Sequence, residues 1–120
     1  MEELKFGFNS HDIPVPLVNN TSPNDTCASF YFRQDGEYYL LWVEHQNVEY
    51  RESDDLPRYA ISCAINEGDD ENPEIYSDTS KNDIFRSDDV KDLIAYFHSY
   101  VSFSILVSRE IWKTSNNRVA

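Results

Sequence analysis

The sequence predicts an α+β fold, in which an antiparallel sheet of about four to six strands carries one main helix packed on it. Two β-rich runs joined by Asp-Gly, a third alternating run, and one amphipathic stripe near the end of the chain support this prediction. With 120 residues, of which 40% are hydrophobic, the chain has the size and apolar content of one folded domain. We therefore expect residues 1–120 to form a single domain, with an irregular N-terminal arm at 1–26 and a frayed tail at 113–120.

A β-hairpin is the clearest predicted element. Residues 27–33 and 37–44 are rich in aromatic residues, and Gln34-Asp35-Gly36 joins them. Asp-Gly favours a hairpin because both positions tolerate a positive φ. Within the second run, residues 38–43 are apolar on both faces, which is typical of a strand in the centre of a sheet.

A third strand is predicted at 58–66, where large and small side chains alternate. Its larger face holds Tyr59, Ile61, Cys63 and Ile65, and its smaller face holds Ala60, Ser62 and Ala64. We expect the small face to permit the close approach of a helix. The following residues, 66–86, have the composition of a loop, which a short strand at 74–76 interrupts.

The main helix is predicted to begin at Ser87, which is a favourable N-cap, with Asp88 and Asp89 near the positive end of the helix dipole. Its apolar stripe consists of Val90, Leu93, Ile94 and Phe97. Two further segments are ambiguous. We favour a strand at 101–108, with an extension of the helix as the alternative, and a short strand near residues 4–8 is possible.

The serine-hydrolase, P-loop and dinucleotide-binding signatures are missing from the sequence. A small hydrolase that uses a carboxylate pair is the third alternative, after the two binding functions given below. The three glycines make a phosphate-binding loop hard to build, and no acidic run matches the EF-hand spacing. Histidines occur only at 11, 45 and 98, without a second base or ligand at a useful spacing. Cys27 and Cys63 are far apart, so we expect two free, mostly buried thiols. The sequence therefore predicts a protein that is not an enzyme and that holds no metal or cofactor.

The charge of the chain predicts the class of its partner. The formal net charge is −12, from 22 acidic and 10 basic residues. Such a field repels nucleic acid and anionic membranes and attracts basic proteins. Because the sequence shows neither a signal peptide nor an apolar run of transmembrane length, we expect a cytoplasmic protein. The predicted partner is a basic protein, with no nucleic acid and no membrane.

The acidic residues are concentrated in two segments. Residues 66–92 contain ten acidic residues against three basic ones, and residues 49–55 add four acids against one arginine. Tyrosines, which are preferred anchors of protein interfaces, are interleaved with them. The predicted partner-binding residues are Tyr50, Glu52, Asp54, Asp55, Asp69, Asp70, Glu71, Glu74, Tyr76 and Asp78.

In its size, acidity, α+β character and lack of catalytic motifs, the chain resembles the immunity proteins of bacterial toxin systems, including those of contact-dependent growth inhibition. The resemblance is one of general character, so no family residue is carried over. It implies a protein that neutralises a basic toxin domain, such as a nuclease, by covering its active site or an adjacent surface. The alternative is a phage-type inhibitor or nucleic-acid mimic that blocks a host DNA-binding protein. The partner's identity and the oligomeric state stay open, since the apolar run 38–43 could also form a dimer interface.

Overall fold

The computed structural model describes residues 6–23, 25 and 27–99. Its strands are β1 (Val18–Asn19), β2 (Ala28–Gln34), β3 (Glu37–Val43), β4 (Tyr59–Asn66), β5 (Ile75–Ser77) and β6 (Phe85–Ser87), and short 3₁₀ helices lie at Ser10–Asp12 and Val48–Tyr50. The described part of the main helix, α1, spans residues 90–99. This arrangement confirms the predicted α+β class. Within the described residues, no helix has both the length and the apolar character needed to cross a bilayer.

The six strands form one antiparallel sheet with the order β1-β2-β3-β4-β5, and β6 also pairs with β4. The short strands β5 and β6 share the outer edge of β4. β5 pairs with its C-terminal part, where Ile65 faces Tyr76, and β6 pairs with its N-terminal part, where Ala60 faces Arg86. The long strands β2, β3 and β4 therefore form the centre of the sheet, and the short strands lie at its edges.

The predicted hairpin and the predicted central strand are both confirmed. Asp35 and Gly36 form the turn between β2 and β3 with φ angles of 53° and 81°. Two successive positive φ values are the geometry that the Asp-Gly pair favours. The apolar strand β3 pairs with β2 on one side and with β4 on the other. Both of its faces are apolar because Leu41 packs in the main core and Leu40 packs in a smaller cluster on the opposite face.

Helix α1 covers one face of the sheet and forms the main core there. Leu93 and Phe97 of the helix are fully buried against Leu41, Tyr59 and Ile61. The predicted apolar stripe is therefore confirmed, but the helix packs on the large face of β4. The expectation that it would approach the small face was wrong, because the large side chains offer much more apolar area to bury.

The start of α1 also differs from the prediction. The residue before the helix is Asp89, whose carboxylate accepts a hydrogen bond from the backbone N–H of Lys91 at 2.9 Å. Ser87 instead ends β6, and its hydroxyl accepts from the N–H of Asp89 at 3.0 Å. The N-cap is thus two residues later than predicted, since an aspartate satisfies the free N–H groups as well as a serine does.

Further differences concern the short elements. Residues 6–8 form a turn instead of a strand, and Phe8 is buried against Tyr59, whose hydroxyl donates to the carbonyl of Phe6 at 2.6 Å. The sequence analysis missed β1 within the arm and β6 within the loop, because strands of two or three residues carry almost no periodicity. The predictions for 101–108 and 113–120 concern segments outside the described residues.

Candidate functional site

The face of the sheet opposite α1 contains an acidic cavity of about 280 Å³. Its floor includes Ala60 and Ser62 of β4, whose small side chains leave space that larger residues would fill. Four carboxylates line it, and these belong to Asp25, Glu44, Glu52 and Asp83. No basic side chain is among the described residues that line the cavity. We call this site the acidic cavity.

Trp42 provides the aromatic wall of the acidic cavity. It pairs with Ala60 across β3 and β4, so it stands beside the two small residues of the floor. Its indole N–H donates to the hydroxyl of Ser62 at 3.0 Å, and the hydroxyl of Ser77 lies 3.3 Å from the same oxygen. These contacts use the polar edge of the indole and fix the orientation of its ring.

Glu44 is the most buried acid of the cavity, with 7% of its surface exposed. It follows β3 directly, and its backbone N–H donates to the carbonyl of Arg58 at 2.7 Å. One carboxylate oxygen, Oε2, is buried and has no hydrogen-bond partner among the described residues. A buried polar atom of this kind costs free energy until a donor reaches it.

Cys27 lies across from Glu44, since the register pairs Ala28 with Val43. Burial, followed by the charges of Glu44 and Glu52, raises the pKa of the Cys27 thiol to about 12. The thiol therefore stays protonated near neutral pH and is a poor nucleophile. Both Cys27 and Cys63 are free, and both are half-buried, so they are more accessible than predicted.

The β3–β4 loop, residues 44–58, bounds the acidic cavity and is held in shape by Arg51. The guanidinium donates to the carbonyls of His45 at 2.7 Å and Leu56 at 2.9 Å, and to the carboxylate of Asp88 at 2.9 Å. Leu56 and Glu52 of this loop line the cavity. Arg51 is thus a structural residue that positions one wall of the site.

Asp88 connects the same loop to the start of β4. Its carboxylate accepts from the backbone N–H of Arg58 at 2.9 Å as well as from Arg51. The hydrogen bond from Arg58, and then that from Arg51, hold the pKa of Asp88 below its usual value. The negative charge of Asp88 therefore helps to hold the β3–β4 loop in its conformation.

Four of the predicted partner-binding residues lie in the β3–β4 loop. Tyr50 is 66% exposed, and its ring contacts that of His45 with 4.9 Å between the centroids. Glu52 is exposed at the acidic cavity, whereas Asp54 and Asp55 border a neighbouring depression. The hydroxyl of Ser53 donates to Asp55 and lowers the pKa of that carboxyl.

The remaining predicted residues lie near the other end of β4. Asp69, Asp70, Glu71 and Glu74 are exposed in the β4–β5 hairpin, residues 66–75. At roughly 3.3 Å per residue, the eight residues of β4 separate this hairpin from the β3–β4 loop by about 25 Å. Tyr76 is 52% exposed and pairs with Ile65, on the face that α1 occupies.

Asp78 follows β5 and differs from the hairpin acids in being half-buried. Its backbone N–H donates to the carbonyl of Cys63 at 2.8 Å. Hydrogen bonds from the side chain and backbone of Ser80 lower the pKa of its carboxyl. The structure thus groups Tyr50, Glu52, Asp54 and Asp55 in one loop and separates them from the residues of the hairpin and β5.

Comparisons with protein-family models, with curated proteins and with solved structures returned no match. In the part of the chain that the structure describes, no three His, Cys, Asp or Glu side chains are grouped closely enough to hold a metal ion. His45 accepts from the backbone N–H of Asn47 at 2.9 Å, and His98 lies 3.2 Å from the carbonyl of Asp12.

The sequence analysis missed most of the acidic cavity. Of its four carboxylates it predicted Glu52 alone as a partner-binding residue, and it did not include Trp42 among the predicted partner-binding residues. One signal was present in the sequence: Glu44 comes directly after Val43, the last residue of the doubly apolar strand β3. An acid that continues the alternation of a buried strand is a candidate for a buried carboxylate.

Proposed function

We propose that this protein is a non-enzymatic immunity protein that acts in the cytoplasm and neutralises a basic toxin domain by covering its active site or an adjacent surface. The observation that supports this most directly is the acidic cavity, where Glu44 is buried beside Glu52 and Asp83 without a basic side chain in the lining. A concave surface of one sign concentrates the field and attracts groups of the opposite sign. A partner with exposed lysines or arginines fits this chemistry.

Tyr50 is the candidate anchor beside the acids. Two thirds of its surface is exposed in the loop that also carries Glu52, Asp54 and Asp55. Tyrosine buries a large area in an interface and has few rotatable bonds to fix. The β3–β4 loop therefore combines an aromatic anchor with the charges that a basic partner requires.

The acids of the β4–β5 hairpin have a different role in this proposal. They lie about 25 Å from the β3–β4 loop, a distance comparable with the width of a standard interface that buries about 800 Å² on each partner. At that distance they lie at the edge of the contact or beyond it. We assign them to the long-range attraction of the partner, which raises the association rate.

The first experiment is a pull-down from the native host at low salt, with the product of the neighbouring gene tested as the partner. An immunity protein should retain one basic protein. Recovery of no partner at low salt contradicts the proposal. Capture of several unrelated DNA-binding proteins, each displaced by duplex DNA, would favour the nucleic-acid mimic instead.

The second experiment compares two triple variants that change the net charge equally. One reverses the loop charges (Glu52→Lys, Asp54→Lys and Asp55→Lys), and the other reverses the hairpin charges (Asp69→Lys, Asp70→Lys and Glu71→Lys). We expect both to slow association with the partner by about tenfold at low salt, since both weaken the attractive field. Only the loop variant should also speed dissociation, because only its residues contact the partner.

Stopped-flow or surface-based kinetics at two salt concentrations measure both rates. The slower association should be relieved as salt screens the charges, over a Debye length of about 8 Å at physiological ionic strength. An unchanged association rate in the hairpin variant would show that the hairpin acids do not contribute to the long-range attraction of the partner. Unchanged dissociation in the loop variant would remove the β3–β4 loop from the contact.

A further inference from the structure

The unpaired carboxylate oxygen of Glu44 indicates what the acidic cavity binds. Glu44 is more than nine-tenths buried and lines the cavity, and its Oε2 has no partner among the described residues. A desolvated carboxylate gains most from a donor that also carries positive charge. Glu52 also lines the cavity, as does Asp83, whose carboxylate lies 3.8 Å from the guanidinium of Arg86 outside the lining. Because carboxylates still outnumber the nearby positive charges, a cation is favoured over a neutral donor.

The walls of the cavity favour an organic cation with an apolar stem. Leu56, Pro57 and Ala60 are apolar, and Trp42 supplies an indole ring. Long basic side chains place their methylene groups along apolar surfaces and their charged ends on carboxylates or aromatic faces. The indole N–H is already used by Ser62, so the ring remains as the available part of Trp42.

An arginine fits these walls better than a lysine does. The guanidinium is planar, stacks on aromatic rings and presents paired N–H groups to a carboxylate. It is also more weakly hydrated than an ammonium group, so it costs less to bury. A cavity of about 280 Å³ is large enough to admit an arginine side chain.

We infer that the acidic cavity is the receptor for one arginine side chain of the basic partner, with Glu44 as its carboxylate ligand and Trp42 as its stacking surface. This inference rests on the proposed function and names the group that the site recognises. It assigns binding roles to Glu44 and Trp42, which lie outside the acidic segments that the composition highlights.

The test is a titration of the ¹⁵N-labelled full chain with Nα-acetyl-arginine amide, followed by NMR. The indole N–H of Trp42 and the backbone amides of Cys27 and Ser62 report on the cavity, and a Trp42→Phe variant identifies the indole signal. We expect these signals to shift with a roughly millimolar dissociation constant, as suits a single side chain. The citrulline derivative has the same shape without the charge and should leave the signals in place.

Two cavity variants, Glu44→Gln and Ala60→Leu, locate the binding, and Asp70→Asn is the matched control. Glu44→Gln should weaken the arginine derivative by about tenfold or more, because it removes the buried charge. Asp70→Asn in the distant hairpin makes the same change in net charge and should alter the affinity by less than about twofold, given screening. Ala60→Leu fills the floor without changing any charge and should abolish binding. A dispersed amide spectrum shows whether each variant is folded. If one of the two cavity variants does not fold, the other is sufficient to test the inference.

Several outcomes overturn the inference. It fails if the cavity signals do not shift, if citrulline shifts them equally, or if Glu44→Gln binds as the parent does. Equal binding of the lysine derivative removes the preference for guanidinium, and tighter binding of spermidine identifies a receptor for a free polyamine. The titration needs no protein partner, so its failure is distinguishable from an empty pull-down. Arginine binding together with an empty pull-down contradicts the proposed function and leaves a site for a free cation.

Discussion

The two faces of the sheet differ in what lies against them. On one face, α1 packs large side chains such as Phe97 and Leu93 on Leu41 and Ile61 into a continuous core. On the other face, a smaller cluster of Leu40, Ala64 and Ile75 lies beside the acidic cavity. The same strands build both faces, because successive residues point to opposite sides.

This difference suggests a division of labour within the sheet. The helix-covered face buries the larger share of the apolar side chains and holds the fold together. The opposite face contains the buried Glu44 and the small residues Ala60 and Ser62, which contribute less to stability. Sites that bind charged ligands commonly lower the stability of the protein in this way, and packing in the rest of the fold offsets the loss. The following predictions test whether stability and binding are divided between the faces in this way.

The largest expected effect concerns the thiol of Cys27 on the cavity face. In a Cys63→Ala variant, alkylation of the folded protein by iodoacetamide at pH 8 should be roughly 1,000-fold slower than in urea. The reason is that the pKa is raised from 9.0 to about 12, which lowers the thiolate fraction accordingly. The rate should then rise about tenfold per pH unit until about pH 11.

The Glu44→Gln variant provides the control for this measurement. It removes one of the carboxylates that raise the pKa, so alkylation should become faster while the protein stays folded. Steric shielding alone would give a slow rate that stops increasing above about pH 9, where a thiol with an unshifted pKa is already ionised. Alkylation of the parent at the unfolded rate would show that the cavity does not suppress the thiol.

The second prediction uses adjacent leucines that point to opposite faces. Leu41 and Leu40 are almost completely buried, in the main core and in the smaller cluster respectively. Truncation to alanine costs about 2–5 kcal/mol in protein cores, depending on how far the site collapses. We expect the loss of stability to be near the upper end of this range for Leu41→Ala and near the lower end for Leu40→Ala. The half-buried neighbours of Leu40 can relax into the space that its side chain leaves. Urea denaturation measures both, and equal losses would contradict the division between the faces.

The sequence was sufficient to predict the long elements of the fold. Asp35-Gly36 determines the hairpin because few other pairs accept two positive φ values, and the stripe that includes Leu93 and Phe97 determines which side of α1 is buried. The prediction of the face on which α1 packs was wrong. Local alternation shows that β4 has a large and a small face, but the choice between them depends on the area that the helix buries against β2 and β3.

The acidic cavity was harder to predict for the same physical reason. Its carboxylates come from three separate segments, and Asp83 reaches it because β6 pairs with β4. Strands as short as β6 are formed by tertiary pairing and have little sequence signal of their own. The acidic segments of the sequence were recognised by composition alone, which cannot show that β4 separates the acids of the β4–β5 hairpin from the β3–β4 loop by about 25 Å.

The smallest expected effect tests how firmly the wall of the cavity is held. The pKa of Asp88 is lowered in the folded protein, so its contribution to stability is present above its unfolded pKa, near 3.8, and is lost as the pH falls through the lower folded value. Since 71% of its side chain is exposed, we expect Asp88→Asn to cost less than about 1 kcal/mol at pH 7.

The difference between the parent and Asp88→Asn should therefore shrink when urea denaturation is repeated at pH 5, 4 and 3. Asp70→Asn, in the exposed hairpin, should show no comparable cost at pH 7. A difference that stays constant with pH would mean that the contacts of Asp88 with Arg51 and Arg58 do not depend on its charge. The β3–β4 loop would then be held by the carbonyls that Arg51 reaches, and the cavity wall would persist in acid while its carboxylates lose their attraction for a cation.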